Sequence, residues 1–306
     1  MTRWGLVATI LAEPADILRF AAYHLDAGAH RLYIYLDAPS DAYDLLKAHP
    51  KIRPTICDAA HWKKLIGKRP PKHQVRQSLN ATHAYNRRAE VDWLIHIDAD
   101  EFLVPAQPIA DALATLPADT TSARVRPMEQ LAGAPDVFKA FIPPDENRDP
   151  LVRRLYPNYG AHLKGGFLSH VAGKLFVRSG MPDITLRIHN AFEGDAMLPR
   201  AAELVQIDLA HAHAKSWDDW YAHFRYRLEQ GSYRPELTRD DGALSMHELF
   251  SFIEAEEGEA GLRAFYAEVA EDSADLRARL DAEGLLRIHD LDLGTKLTQH
   301  FPDFKG

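Results

Sequence analysis

Residues 93–103 read WLIHIDADEFL, an apolar run that ends in Asp98, Ala99, Asp100 and Glu101 before apolar residues resume at Phe102 and Leu103. The run 93–97 has the composition of a buried strand. Three carboxylates in four positions at its mouth repel one another and lose solvation, which raises their pKa values unless a cation compensates. A divalent metal is the economical compensation, and hard oxygen donors suit Mg²⁺ or Mn²⁺. On an extended segment alternate side chains share a side, so Asp98 and Asp100 are expected to converge while Glu101 turns away to orient the loop.

Outward from this stretch, the first hundred residues alternate strand and helix patterns. Residues 5–11 form a short apolar run, and 14–25 place Ile17, Leu18, Ala21, Ala22 and Leu25 at helical spacing. Pro14 suits a first helical turn and Gly28 a stop. Residues 31–36 (RLYIYL) read as a strand, 42–48 as a short helix, 53–57 as a third strand and 73–90 as a polar helix before the fourth strand. Strands separated by helices predict right-handed crossovers and a mainly parallel sheet flanked by helices, an α/β fold. In such sheets ligands gather beyond the carboxyl ends of the strands, which singles out the residues after Leu11, Leu36 and Ile97.

After Pro105 the pattern changes. A helix is expected over 108–116 and strands over 122–126, 173–178, 185–189 and 204–209, with 133–166 a long loop or an insertion covering a site. From Trp217 the chain reads as helical over 217–229, 245–256, 258–270 and 272–283, and residues 254–259 (EAEEGE) as a solvated helix junction. The chain has 306 residues, which allows one large α/β domain or two small ones. With 46% hydrophobic and 26% charged residues it has globular composition. The single cysteine, Cys57, excludes a disulfide framework and a cysteine zinc site. Thirty-six basic against 44 acidic side chains, a net charge of −8, argue against a general nucleic-acid binder. No run reaches the ~20 apolar residues that cross a bilayer, and 4–11 lacks a cleavage site for a signal peptide, so the expected location is cytoplasmic.

WLIHIDADEFL resembles the "W-hydrophobic-D-x-DEF" signature of a bacterial branch of glycosyltransferase family 2. The resemblance extends upstream through 7–41, with Glu13 after the first strand, His24 and Gly28 at a helix end, and Asp37, Ser40 and Asp41 closing the second strand; Ala12 stands where the branch usually has asparagine. Gln77 and the pair Tyr85 and Asn86 sit where the branch often has Q and YN. Downstream, HAHAKS at 211–216 is similar to H-Y-x-x-K-S, matching at His211, Lys215 and Ser216 and departing at Ala212, and GKLFVRS at 173–179 is similar to a G-K-x-x-x-R segment. The likeness covers about 4–104 closely and 170–230 loosely.

That resemblance implies a GT-A-type domain over 1–230, with a nucleotide-binding half at about 1–104, an acceptor half at about 105–230, and a helical C-terminal extension over 231–306. It implies an inverting, metal-dependent glycosyltransferase that moves a sugar from a UDP- or GDP-sugar donor to a glycan or lipid-linked hydroxyl acceptor. Asp98 and Asp100 would hold Mn²⁺ or Mg²⁺ with His211, or His213 instead, completing the shell. Glu13, Asp37, Asp41, Gln77, Asp98 and Lys215 would contact the donor, the metal taking up charge on the leaving diphosphate. Inversion needs a carboxylate base; Glu129, Asp136, Asp145 and Glu146 are the candidates and Glu129, after a predicted strand, is preferred. The basic residues Arg153, Arg154, Lys164, Lys174 and Arg178 offer a further phosphate contact. The aromatics Trp217, Trp220, Tyr221, Phe224 and Tyr226 could cover the acceptor side or meet a membrane surface peripherally. Two other readings stand beside this one. A nucleotidyltransferase also uses an acidic metal site on an α/β sheet, but 8–16 lacks the glycines of its phosphate loop. A catalytically silent carbohydrate-binding protein would keep the sheet without the chemistry.

Overall fold

A computed structural model describes residues 1–306 except 88–89, 200, 239–242 and 306. The first seven elements are β1 (Trp4–Ile10), α1 (Pro14–Asp26), β2 (Arg31–Leu36), α2 (Ala42–Ala48), β3 (Ile52–Ile56), α3 (Ala59–Ile66) and α4 (His73–Asn86). Next come β4 (Trp93–His96), β5 (Glu101–Pro105), α5 (Ile109–Ala114), β6 (Ser122–Gln130), β7 (Val137–Lys139) and α6 (Arg148–Leu155). Five strands follow: β8 (Lys174–Arg178), β9 (Ile184–Leu186), β10 (Ala191–Glu193), β11 (Ala196–Met197) and β12 (Ala202–His211). The chain ends with α7 (Trp217–Ala222), α8 (Phe224–Glu229), α9 (Met246–Val269), α10 (Ala274–Ala282), β13 (Leu286–Ile288) and α11 (Leu293–His300).

These elements form two compact units. The first is Met1–Arg126, Ala172–Leu209 and Leu291–Gly306; the second is Pro127–Val171 and Ala210–Asp290. The expected division near 104 and 230 differs from this one, because the chain leaves the first unit within β6, re-enters it before β8, leaves it again within β12 and returns for α11. No described helix is long and apolar enough to cross a membrane.

The first unit is mixed α/β with a mostly parallel sheet flanked by helices. Its strands run in the order β6, β8, β4, β1, β2, β3, with β5 paired to β12 off that path. β1 lies parallel to both β2 and β4, and β2 parallel to β3, while β8 is antiparallel to β4 and β6. β1 and β4 read as near-continuous apolar runs because both faces of a parallel sheet are covered. Successive strands step from β1 out to β3, and the chain then returns to the other side of β1 for β4. That reversal is the topological switch point, and a crevice at the carboxyl ends of β1 and β4 is where such sheets take ligands. α4 covers β1 and β9, and α11 packs on α1, with Lys296 3.7 Å from Asp26.

The second unit has its own core, in which Trp220, Phe224, Tyr233, Phe250, Phe265 and Tyr266 pack together. Here the end of β6 pairs antiparallel with β7, and β7 with β13. The expected loop 133–166 thus contains a strand and a helix, β7 and α6. The helix expected over 217–229 is two short ones, α7 and α8, and the helices expected at 245–256 and 258–270 are one element, α9, broken at Gly258. There the backbone turns to φ 62° and ψ −147°, a region open to glycine alone. The end of the helix expected over 73–90 falls partly on 88–89, outside the described residues.

Candidate functional site

Residues 98–101 do not continue the β4 strand. They form a turn closed by the Glu101 amide donating to the Asp98 carbonyl at 3.1 Å. The expected alternation of an extended segment is therefore replaced by turn geometry. Glu101 does not turn away as expected: it folds back and accepts from the Asp98 amide through Oε2 at 2.8 Å, which ties the turn together. Its side chain is fully buried.

The cation that compensates this cluster is Lys174. Its Nζ donates to Asp98 Oδ2 at 2.6 Å and lies 3.2 Å from Glu101 Oε2, and none of its side chain is exposed. Gln77 donates its side-chain amide to the other oxygen of Asp98. Burial works against ionisation of Asp98, but the charge of Lys174 outweighs it and holds the carboxyl well below the usual range. The reciprocal field raises the Lys174 ammonium against the effect of its own burial. His96, the last residue of β4, is lowered to about 4 by burial and then by Lys174, and neither ring nitrogen has a hydrogen-bond partner among the described residues. Lys174 sits in the sheet because β8 inserts antiparallel beside β4, in a register that pairs Ile95 with Phe176.

Helix α4 explains how this end of the sheet is held. Three polar residues on its buried face each reach a different strand. Arg76 donates to both oxygens of Asp37, after β2, with Nη2 2.6 Å from Oδ2. Gln77 reaches Asp98 after β4, and Asn80 donates to Thr9 Oγ1 in β1 at 3.1 Å and to Cys57 Sγ after β3 at 3.4 Å. A helix with little apolar surface is thus fixed by hydrogen bonds to the ends of four strands.

This arrangement sets the surroundings of Asp37. Its side chain is wholly buried, with Arg69 at 3.0 Å and His73 at 3.7 Å beside Arg76. Burial opposes ionisation, yet His73, Arg76 and Arg69 together bring its pKa down to about 2. A carboxylate bonded this way fastens α4 and the Arg69–His73 segment. Glu13 and Asp41 are exposed at the starts of α1 and α2, and neither caps its helix through the side chain.

Glu129 is likewise occupied. It lies 2% exposed, with Lys139 Nζ 2.8 Å from Oε2 and the amides of Leu168 and Ser169 donating at 3.0 and 2.6 Å. Burial pushes the carboxyl up, but Lys139, His213 and Ser169 bring it down to about 2. A general base must meet an acceptor hydroxyl with a pKa near working pH; Glu129 instead ties β6 and β7 to the segment before β8. Asp136, Asp145 and Glu146 are exposed. The basic stretch also dissolves into separate roles: Lys174 is buried in the acidic turn, Arg178 stacks 4.4 Å over Trp93, Arg154 pairs with Glu283, and Arg153 and Lys164 are exposed.

In the second unit His211 is 5% exposed. Its ring centroid lies 5.1 Å from that of His170 and 5.3 Å from that of His213. His170 and His211 each offer a ring nitrogen within 4.8 Å of the other, so His170 is an imidazole donor that sequence spacing did not single out. His213 Nε2 contacts the Tyr233 hydroxyl at 3.4 Å. Lys215 is exposed, and its carbonyl accepts from Gly133.

The donor chemistry is compatible with a hard divalent ion at the acidic turn. Each carboxylate oxygen has two lone pairs, so Asp98 can retain Lys174 and Gln77 and still ligate, and half-buried Asp100 brings a second carboxylate.

No family model and no curated protein sequence matches the chain. Among solved structures, a crystal structure of a mycobacterial protein aligns over 58% of this chain and 53% of its own, with 14% identity and a TM-score of 0.31. The chain spans about half the length of that neighbour, and likeness at this level defines neither family nor activity.

Proposed function

We propose that the protein is a glycosyltransferase that binds a nucleoside-diphosphate sugar at the carboxyl ends of β1 and β4 and passes the sugar to a hydroxyl acceptor. The observation that carries this reading is the acidic turn 98–101, set at the switch point of a mostly parallel sheet and oriented by Lys174 and Gln77. Such a crevice suits a nucleotide.

Asp98 and Asp100 are the residues that would hold Mn²⁺ or Mg²⁺. When bound, the ion supplies positive charge against the diphosphate that a chain of net charge −8 otherwise repels. Lys174 is a positioning residue. Buried behind Asp98, it keeps the carboxylate ionised and fixed in direction without touching substrate. Glu101 holds the turn closed, so Asp100 is presented on a rigid loop. The imidazoles of His170 and His211 offer nitrogen donors suited to Mn²⁺. Asp37 and Glu129 belong to the scaffold in this reading, and the proton acceptor is not assigned to either.

The reading is tested by thermal-shift titration with UDP- and GDP-sugars, with and without Mn²⁺. A ligand bound only by the folded chain raises the melting temperature. At least one nucleotide series is expected to do so with Mn²⁺, and the Asp100→Ala variant to lose the response. No shift from either series in the presence of Mn²⁺ contradicts the proposal.

A further inference from the structure

The first unit contains a recess. It is a cavity of about 320 Å³ between the β6–β8 face and the segment that carries β10 and β11. Its lining includes Arg124 and Arg126, alternate residues of β6, with Glu203 and Asn190, and apolar side chains including Leu175 and Leu198. The two guanidiniums are not equivalent. Arg126 makes a two-pronged pair with Glu203, at 2.8 and 2.5 Å, which balances its charge. Arg124 meets only neutral acceptors: Nη1 donates to the carbonyls of Ala172 and His189 at 2.7 and 3.1 Å, and Nη2 to the Asn190 side chain at 3.1 Å.

The backbone that holds Arg124 is specialised for closeness. Gly173 has φ +70°, and a Cβ there would lie 2.0 Å from the Val125 carbonyl. His189 Nδ1 contacts the Gly173 carbonyl at 3.0 Å, so the two carbonyls that grip Arg124 are themselves fixed. Burial, and then the neighbouring Arg126, disfavour the charged form of Arg124, and Glu203 offsets part of this. Its Nε–H and one Nη2–H donate to no described residue. These are donors of the planar fork that matches a carboxylate.

We propose that this cavity binds a small organic carboxylate, the anion on the Arg124 fork and an apolar body against Leu198 and Leu175. The volume falls at the lower end of the range for small-molecule sites, and a fixed guanidinium among apolar side chains is the pattern such sites use for orientation. The inference does not depend on the glycosyltransferase reading and predicts binding without metal or nucleotide.

The test uses the full chain and three probes, by isothermal titration without metal: 3-phenylpropanoate, its neutral amide and inorganic phosphate. The carboxylate should bind saturably, and the amide and phosphate at least about tenfold more weakly, as loss of a charge-assisted contact or of the apolar body predicts. Arg124→Gln should abolish binding. Because Arg124 also secures three acceptors, Ala201→Trp is the second variant; it fills the cavity, leaves those bonds alone, and should also abolish binding while melting near the parent temperature. An amide that binds as well as the acid, phosphate that binds as well as either, undiminished binding by Ala201→Trp, or no binding of the carboxylate would each overturn the proposal.

Discussion

Lys174 is the side chain on which the acidic turn depends. A lysine with no exposed side-chain surface is costly to bury unless it is paired, and Asp98 and Glu101 flank it, while its charge holds the Asp98 carboxyl below the usual range. Lys174→Met removes the buried ammonium that Asp98 and Glu101 flank. The expected cost is about 3–5 kcal/mol in urea unfolding. The double variant Lys174→Met with Glu101→Gln should recover part of it. Equal stability of Lys174→Met and the parent would show that the ion pairs are not what holds the turn. The cluster itself was legible from the sequence, since WLIHIDADE ends an apolar run in acids. Its counter-charge was not. Lys174 is 76 positions from Asp98, and only the insertion of an antiparallel strand into a parallel sheet brings them together. The partners of Asp37 and Glu129, Arg76 and Lys139, were hidden for the same reason: they are set by tertiary packing and leave no local pattern.

At the level of elements, local signals gave the clearest reading where periodicity was strong. The bounds of β2 and α2 fell where the alternation of RLYIYL and the turn at 37–41 put them. α3 escaped notice because its eight residues bury only Trp62, and α6 because a proline interrupts a short amphipathic segment. The polar helix α4 had a recognisable position but not a recognisable purpose, since hydrogen bonds rather than apolar spacing hold its inner face. The break in α9 was readable, because Gly258 interrupts a run of good helix formers. Its conformation yields a prediction at this scale. Nothing lies within 4 Å of a Cβ added at Gly258, so Gly258→Ala meets no clash and its effect is purely conformational. At φ 62° and ψ −147° that effect should be about 1–3 kcal/mol of destabilisation by chemical unfolding. An unchanged midpoint would mean that the break is not held in that conformation.

Across the whole molecule, buried titratable groups set the dependence of stability on pH. His24 and His96 are each lowered from 6.5 to about 4, in both cases chiefly by burial. The unfolded chain therefore takes up protons that the folded one refuses between those values. Their neutral burial is fully tolerated above about pH 6.5, and stability falls as the pH drops from there toward 4. His24→Phe, which keeps the ring beside Phe102, should flatten that part of the profile. Below it, Asp37 and Glu129 act. With folded pKa values of about 2 against ordinary values of 3.8 and 4.5, they contribute stability above the ordinary values that is lost as the pH falls toward 2. A melting temperature flat from pH 7 to 4 would contradict the histidine assignment. The interleaved division of the chain into two units was the part least visible in the sequence, because both departures from the first unit occur inside a strand, β6 and β12, whose residues read the same on both sides.

The central claim is that Asp98 and Asp100 bring a divalent ion to a nucleoside diphosphate at the end of β4. Electron paramagnetic resonance of Mn²⁺ tests it most directly, because the free aquo ion gives a six-line signal that bound ion loses. With UDP or GDP at a fixed concentration, adding the protein should lower the free signal beyond the level set by nucleotide alone, and Asp100→Ala should leave it at that level. A free signal that the wild-type chain does not change, with either nucleotide, would contradict the account.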